Sequence, residues 1–119
     1  METGNSDLKD RTKSFSLRII RLVKSLDNNV ADREIGRQLI RSGMSVGANT
    51  RAAFRGRSNR EFVAKLGIVI EEADECGFWI ELLQETSEAK KLNKEELLLL
   101  HQEASELTSI FVSIVKKNK

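Results

Sequence analysis

Residues 35–83 read IGRQLIRSGMSVGANTRAAFRGRSNREFVAKLGIVIEEADECGFWIELL, and this stretch decides the fold. It contains two runs in which apolar or small residues recur at steps of four and three. Such steps keep residues on one face of an α-helix, because the helix has about 3.6 residues per turn. The first run comprises Ile35, Leu39, Ser42, Val46, Asn49 and Ala53, and the second comprises Phe62, Leu66, Val69, Ala73, Cys76, Ile80 and Leu83.

The break between the two runs carries the signals of a tight connection between helices. Gly56 can end the first helix, and Ser58 with Glu61 forms an S-x-x-E capping box that can start the second. We therefore predict an αα-hairpin across this stretch.

Two further amphipathic segments flank the hairpin. The earlier one has an apolar face of Phe15, Ile19, Leu22, Val23 and Leu26, and its other face carries Lys9, Arg11, Lys13, Arg18, Arg21 and Lys24. The later one follows Asn93 and Glu96, a second capping-box-like start, and has a face of Leu97, Leu100, Ala104, Leu107, Phe111 and Ile114. Asn5 or Ser6 is a candidate cap for the first helix, and Asp32 for the second.

These patterns predict four helices joined by short loops. We place them at about 7–28, 32–55, 59–86 and 94–116. Amphipathic helices in this arrangement predict an all-α, up-down-up-down antiparallel four-helix bundle.

The composition agrees with long helices in a single domain. The 119 residues include no proline and only seven glycines, and they suit one domain spanning residues 1–119. The chain has neither an apolar run of about 18 residues nor an N-terminal signal pattern, so we expect a soluble cytoplasmic protein without a membrane partner.

Few residues could carry enzymatic chemistry. The single cysteine, Cys76, lies on a predicted core face, where packing is expected rather than nucleophilic attack. His101 is the only histidine, whereas the Glu-x-x-His metal site of helical bundles needs two. Because no nucleophile–base pair, metal set or phosphate loop can be assembled, we predict no enzyme, no catalytic residue, no metal site and no cofactor.

The second helix has an unusual core side. Gly36, Gly43 and Gly47 cluster on one flank of it, and each costs the helix about 1 kcal/mol relative to alanine. That cost predicts close approach by a neighbouring backbone. A ligand contact for Ser42 or Asn49 is the alternative interpretation.

The opposite side of the second helix is basic. Residues 1–60 carry thirteen Lys and Arg against six Asp and Glu, whereas residues 61–119 carry seven against twelve. An arginine row falls within about 80° of arc at 3.6 residues per turn, and it comprises Arg33, Arg37, Arg41, Arg51 and Arg55. Arg57 and Arg60 follow shortly after it.

The arginine row supports two interpretations. Arginine suits forked contacts with phosphate, so the row and Arg57 and Arg60 are candidate nucleic-acid-binding residues, with RNA or DNA as partner. Alternatively, the row is a solvated face or is neutralised by acidic residues of the third helix, within a subunit or between subunits. Those acids are Glu71, Asp74, Glu81, Glu85 and Glu88.

The third helix is apolar on its outer side as well as on its core face. The outer residues are Ile68, Phe78, Trp79 and Leu82. A bundle helix that is apolar on two sides indicates a subunit interface, so we predict a homo-oligomer through these four residues.

The string Q-L-I-R-S-G-M-S-V-G-A-N at residues 38–49 resembles the signature of bacterial four-helix-bundle proteins once called S23 ribosomal proteins. That family is encoded in intervening sequences of 23S rRNA genes and elsewhere. The similarity spans about residues 7–115 and continues through Ser58, Glu61-Phe62, Lys65-Leu66, Glu71-Glu72-Ala73, Trp79 and Leu82-Leu83.

The resemblance implies a ring-like homopentamer. The family includes relatives of the accessory variability determinant of diversity-generating retroelements, which implies nucleic acid and a reverse transcriptase as partners. No enzymatic activity is implied. This chain departs from the pattern at Arg51-Ala52-Ala53, where relatives commonly carry acidic residues, and the departure makes this face more basic.

Two functions therefore stand after the sequence is read. The first is a non-enzymatic, nucleic-acid-associated homo-oligomer that contacts the backbone without reading sequence. The alternative is a protein-interaction or scaffold oligomer that binds no nucleic acid.

Overall fold

The computed structural model describes the backbone of residues 2–119 and the side chains of residues 7–119. It contains four helices: α1 is Glu2–Val23, α2 is Val30–Ala53, α3 is Asn59–Thr86 and α4 is Lys94–Asn118. No strand occurs in the described part of the chain. The helices pack into a body of 45 × 22 × 19 Å. The predicted all-α four-helix fold is confirmed.

Neighbouring helices run in opposite directions, as their cross-contacts show. Arg11 of α1 bonds to Glu103 of α4, whereas Arg18 bonds to Glu96, so the partner number falls as the α1 number rises. The same reversal appears between α2 and α3 and between α3 and α4. Between α2 and α3, Asp32 contacts Ser87 and Phe54 contacts Phe62. Between α3 and α4, Glu81 contacts His101 and Asn59 contacts Asn118.

The core is built from the predicted faces. Leu39, Val46, Leu66 and Ile80 are fully buried, and their partners on α1 and α4 include Phe15, Ile19, Leu100, Leu107 and Phe111. The half-buried Ile35, Phe62 and Ile114 pack at its margin. Among the described residues, no helix has both the length and the apolarity to cross a membrane.

The glycine flank of α2 is where α1 packs most closely. A Cβ atom built at Gly43 would lie 2.7 Å from Cγ2 of Ile19, and one at Gly47 would lie 2.6 Å from Oγ of Ser16. The Ser16 hydroxyl also donates to the carbonyl of Gly43 at 2.6 Å. The Cβ at Gly47 would also lie 3.3 Å from the carbonyl oxygen of Thr12, so the predicted close approach of a neighbouring backbone is confirmed there, with α1 as the neighbour. At Gly43 the close neighbour is a side chain of α1.

The connection between α1 and α2 differs from the prediction. Helix α1 ends at Val23 rather than near residue 28, because Ser25 and Leu26 bond to carbonyls only three residues back. Asn29, not Asp32, caps α2: its side chain accepts from the amide of Asp32. Helix α1 begins at Glu2 rather than near residue 7, so Asn5 and Ser6 lie within it and neither is its cap.

Asp32 has a different role from the predicted one. It is buried in the first turn of α2, where its carboxylate accepts from the Asp27 amide and the Ser87 hydroxyl, both at 3.0 Å. This carboxylate ties the α1–α2 turn to the end of α3.

The hairpin turn between α2 and α3 also needs one correction. Helix α2 ends at Ala53, and Phe54 caps it in a right-handed conformation. Gly56 does not adopt the left-handed conformation of a glycine cap; no described residue does. Ser58 caps α3 as predicted, but the Glu61 carboxylate accepts from the amide of Arg57, not from that of Ser58.

Candidate nucleic-acid interface

The candidate arginines are all exposed, but they do not form one helical row. Arg33, Arg37, Arg41 and Arg51 lie on α2. Because α2 ends at Ala53, Arg55 and Arg57 lie in the turn, and Arg60 lies in the first turn of α3.

The first two arginines of the row, Arg33 and Arg37, bond to side chains close to them in the same protomer. Arg33 donates to Oδ1 of Asn28 at 3.0 Å, and Arg37 forms an ion pair with Glu34. Hydrogen bonding by Arg37 holds the pKa of the Glu34 carboxyl below its ordinary value.

Arg41 is also engaged, although more loosely. It donates to Oε1 of Gln38 at 3.1 Å and lies 3.7 Å from Oε1 of Glu75 on α3. Glu75 was not among the α3 acids predicted to neutralise the row, and it contacts Arg41 alone among the row's arginines.

Most of the α3 acids lie away from the arginines. Glu81 contacts Nε2 of His101 on α4 at 2.8 Å, and with Asp74 it lines a groove between α3 and α4. The α3 acids other than Glu75 therefore do not neutralise the row inside one protomer.

The second half of the row opens onto a groove between α1 and α2. Arg51 and Arg55 line it together with Lys9 and Lys13, and we call these four residues the basic groove. Its volume is about 430 Å³, and its remaining lining residues are Asp10, Ser16, Met44, Gly47 and Ala48. No described side chain forms a hydrogen bond or ion pair with the guanidinium of Arg51 or Arg55.

Lys9 and Lys13 are site residues that were missed when α2 was read alone. The available signal was the basic outer face of α1. That signal is ambiguous, because two other cations of the same face are used internally: Arg11 pairs with Glu103 and Glu106, and Arg18 pairs with Glu96.

The four predicted interface residues form a band on α3, which we call the α3 stripe: Ile68, Phe78, Trp79 and Leu82. Phe78 is 51% exposed and Ile68 is 37% exposed, whereas Trp79 and Leu82 are half-buried. The Phe78 and Trp79 rings meet edge to face with centroids 5.1 Å apart. Trp79 also packs against the edge of the core, and its indole N–H donates to Glu75 at 3.2 Å.

Both the sequence and the fold of this chain match a known protein family. The family model described as 23S rRNA-intervening sequence protein matches residues 5–113. The chain belongs to this family. A crystal structure of a protein with unknown function from the S23 ribosomal protein family of Bacteroides thetaiotaomicron superposes with a TM-score of 0.79. The two are 32% identical, and the match covers 94% of this chain and 97% of that one. No curated protein matches.

The string that resembles the signature of the 23S rRNA-intervening sequence family serves packing in this structure. Within residues 38–49, Leu39 is in the core and Gly43 admits α1. The Ser42 hydroxyl donates to the Gln38 carbonyl, and the Asn49 amide donates to Ser45. These polar groups are satisfied inside α2, which favours the packing interpretation over a ligand contact.

Cys76 is poorly suited to nucleophilic chemistry. It is fully buried, and burial raises the pKa of its thiol to about 12. A thiol rather than a thiolate is therefore present at neutral pH. Within the described residues, no group of three or more His, Cys, Asp and Glu could hold a metal ion.

Proposed function

We propose that this member of the 23S rRNA-intervening sequence family is a non-enzymatic homo-oligomer that binds the backbone of nucleic acid. The observation that carries the proposal is the basic groove. Four cations, two on α1, one on α2 and one in the α2–α3 turn, face one groove. Asp10 is the only carboxylate among its described lining residues, and the two arginines have no described partner. A concentration of unpaired cations of this kind attracts a polyanion.

The chemistry of the basic groove favours phosphate contact without sequence readout. Arginine and lysine contact phosphate oxygens and release condensed counterions, which is the sequence-independent part of binding. None of the lining residues is aromatic, and the apolar ones are Met44, Gly47 and Ala48. Base stacking, which needs aromatic platforms, should therefore contribute little.

Assembly through the α3 stripe is compatible with this binding. Glu75 already satisfies the Trp79 N–H inside the protomer, so a second copy could cover the indole ring without burying an unsatisfied donor. No residue of α3 lines the basic groove, so the stripe and the groove are separate surfaces of the protomer. In a pentameric ring, the assembly that the resemblance implies, repeated grooves would favour long strands over short ones.

The scaffold alternative has its own supporting observation. Arg33, Arg37 and Arg41 are already engaged by Asn28, Glu34 and Glu75. If acidic residues of a neighbouring subunit occupied the basic groove as well, no arginine of the row would remain for nucleic acid. A protein partner such as a reverse transcriptase would then be the ligand of the assembly.

Paired arginine variants separate these functions. Arg51→Gln with Arg55→Gln removes two groove cations, whereas Arg33→Gln with Arg37→Gln removes the same charge from the occupied half of the row. We expect the first variant to lose about a hundredfold or more in affinity for single-stranded RNA, because two charged hydrogen bonds at about 1.5–3 kcal/mol each are lost. The second variant should bind nearly as wild type does.

Fluorescence anisotropy with labelled RNA measures both affinities. Equal losses in the two variants would contradict a localised groove. Absence of wild-type binding at low salt would favour the scaffold alternative.

A further inference from the structure

One end of the bundle gathers basic residues from all four helices. The antiparallel packing brings the start of α1, the end of α2, the α2–α3 turn and the end of α4 together there. Asn59 in the first turn of α3 donates to the carbonyl of Asn118 at 2.6 Å, which fixes the turn against the last turn of α4. Segments that are far apart in sequence thus form one surface.

The charge at this end is strongly unbalanced. Residues 7–13, 51–65 and 114–119 contain eleven Lys and Arg but only three Asp and Glu. At the opposite end, residues 18–37 and 81–96 contain eight of each sign. The basic excess of this protein is therefore confined to one end of its long axis.

We call five cations of this surface the basic end: Arg57, Arg60, Lys116, Lys117 and Lys119. All five are exposed. No described carboxylate lies within ion-pair distance of any of them. Lysines at the end of α4 also interact favourably with its dipole. That effect accounts for Lys116 and Lys117 in the last turn, but not for Arg57 and Arg60 on a different element.

A second copy of the chain is a poor match for this surface. End-to-end stacking would bring the basic end against an opposite end whose charges already cancel. The excess acids of the molecule lie between the two ends, on the third and fourth helices. They are Glu71, Glu72, Asp74, Glu75, Glu103 and Glu106. The charge pattern therefore favours an external polyanion over a second protomer.

We infer that bound nucleic acid continues from the basic groove across the basic end, so that the lysines closing α4 contact phosphates on the same strand. This inference rests on the proposed function and extends its binding surface. The bundle is only about 20 Å across, judging from its 22 and 19 Å extents. Because one strand of B-form DNA carries one charge per about 3.4 Å, a crossing of this length offers about six phosphates, which is enough for the five cations of the basic end.

A matched pair of triple variants tests the path. Lys116→Gln, Lys117→Gln and Lys119→Gln remove three charges from the basic end. Lys90→Gln, Lys91→Gln and Lys94→Gln remove three exposed lysines from the opposite end, so both proteins have the same net charge. Affinity for a single-stranded RNA is measured by anisotropy over a salt series, and circular dichroism checks the helix content of both.

We expect the slope of log affinity against log salt to become shallower by about two in the first triple, since each phosphate contact on single strands contributes about 0.7. The second triple should keep the wild-type slope. Wild-type slopes in both triples, with binding still weakened by Arg51→Gln and Arg55→Gln, would overturn the path and leave the proposed function standing. Equal losses in the two triples would also overturn the path, because net charge alone would then explain them. Failure of wild-type protein to bind would overturn both.

Discussion

Gly43 decides how closely α1 and α2 approach. Its missing side chain leaves room for Ile19, a fully buried, β-branched residue with little freedom to move aside. The close approach was predicted because three glycines lower the helix propensity of α2, a cost that close packing would explain. It could not identify the neighbour, because nothing within α2 distinguishes its α1 side from its α3 side.

Gly43→Ala should destabilise the protein although alanine is the better helix former. The new Cβ would lie 2.7 Å from Ile19, and overpacking costs about 1–3 kcal/mol against about 1 kcal/mol gained in propensity. The control is Gly67→Ala in α3, where a Cβ meets nothing within 4 Å. That variant should gain up to about 1 kcal/mol in the free energy of unfolding by urea. Equal stabilisation by both changes would contradict the packing described for α1.

At the scale of elements, α1 and α4 share the smallest contact of the neighbouring helix pairs. Forked ion pairs bridge them: Arg18 donates to both carboxylate oxygens of Glu96, at 2.8 and 2.9 Å. These hydrogen bonds hold the pKa of Glu96 below its ordinary value, against the opposing effect of burial.

The Arg18–Glu96 pair should stabilise the bundle in a pH-dependent way. Because the pKa of Glu96 is lower in the folded state than in the unfolded state, the stabilisation is present above about pH 4.3 and is lost as the pH falls through the lowered pKa. Arg18→Gln should cost about 1 kcal/mol at neutral pH and much less once Glu96 is protonated.

Urea unfolding at neutral and acidic pH measures this difference. Arg21→Gln is the control, since Arg21 is exposed on the same helix without a described partner. An Arg18→Gln cost that stayed constant with pH, or that Arg21→Gln reproduced, would mean that this pair does not hold α1 to α4.

The helix boundaries show which features local sequence patterns can predict and which they cannot. The range of α3 was predicted from Ser58 and its apolar period, because both signals are local. The start of α2 was predicted wrongly because aspartate is a common N-cap residue, and Asp32 was therefore taken as the cap. Its carboxylate instead bonds to Ser87, and that partner is 55 residues away.

At the scale of the whole molecule, the α3 stripe should carry assembly. Ile68→Gln with Phe78→Gln should yield smaller species by light scattering while the helix content is kept, because both side chains are substantially exposed in the protomer. Leu98→Gln with Leu99→Gln on α4 is a matched control, since these leucines are 52% and 45% exposed. Dissociation of the α4 variant alone, or a monomeric wild type at micromolar concentration, would contradict the stripe.

The candidate site was predictable only in part. Reading α2 alone identified Arg51 and Arg55, although the helical wheel placed Arg55 on α2 and the structure places it in the turn that follows. Lys9 and Lys13 join them through the packing of α1, and the lysines closing α4 reach the same end through the antiparallel topology. Residues 1–60 do carry an excess of positive charge. In the folded bundle, however, the basic excess lies at one end of the long axis and does not separate the two halves of the chain.

The central claim is that the basic groove contacts phosphates without reading bases. The most direct measurement is the affinity of wild type and the Arg51→Gln, Arg55→Gln variant for two unrelated single-stranded RNAs of equal length, between about 50 and 200 mM salt. We predict equal wild-type affinities for the two RNAs and a linear fall of log affinity with log salt, and in the variant a slope shallower by about 1.4 for two lost contacts. Wild-type binding that is independent of salt, or that favours one RNA strongly, would contradict the claim.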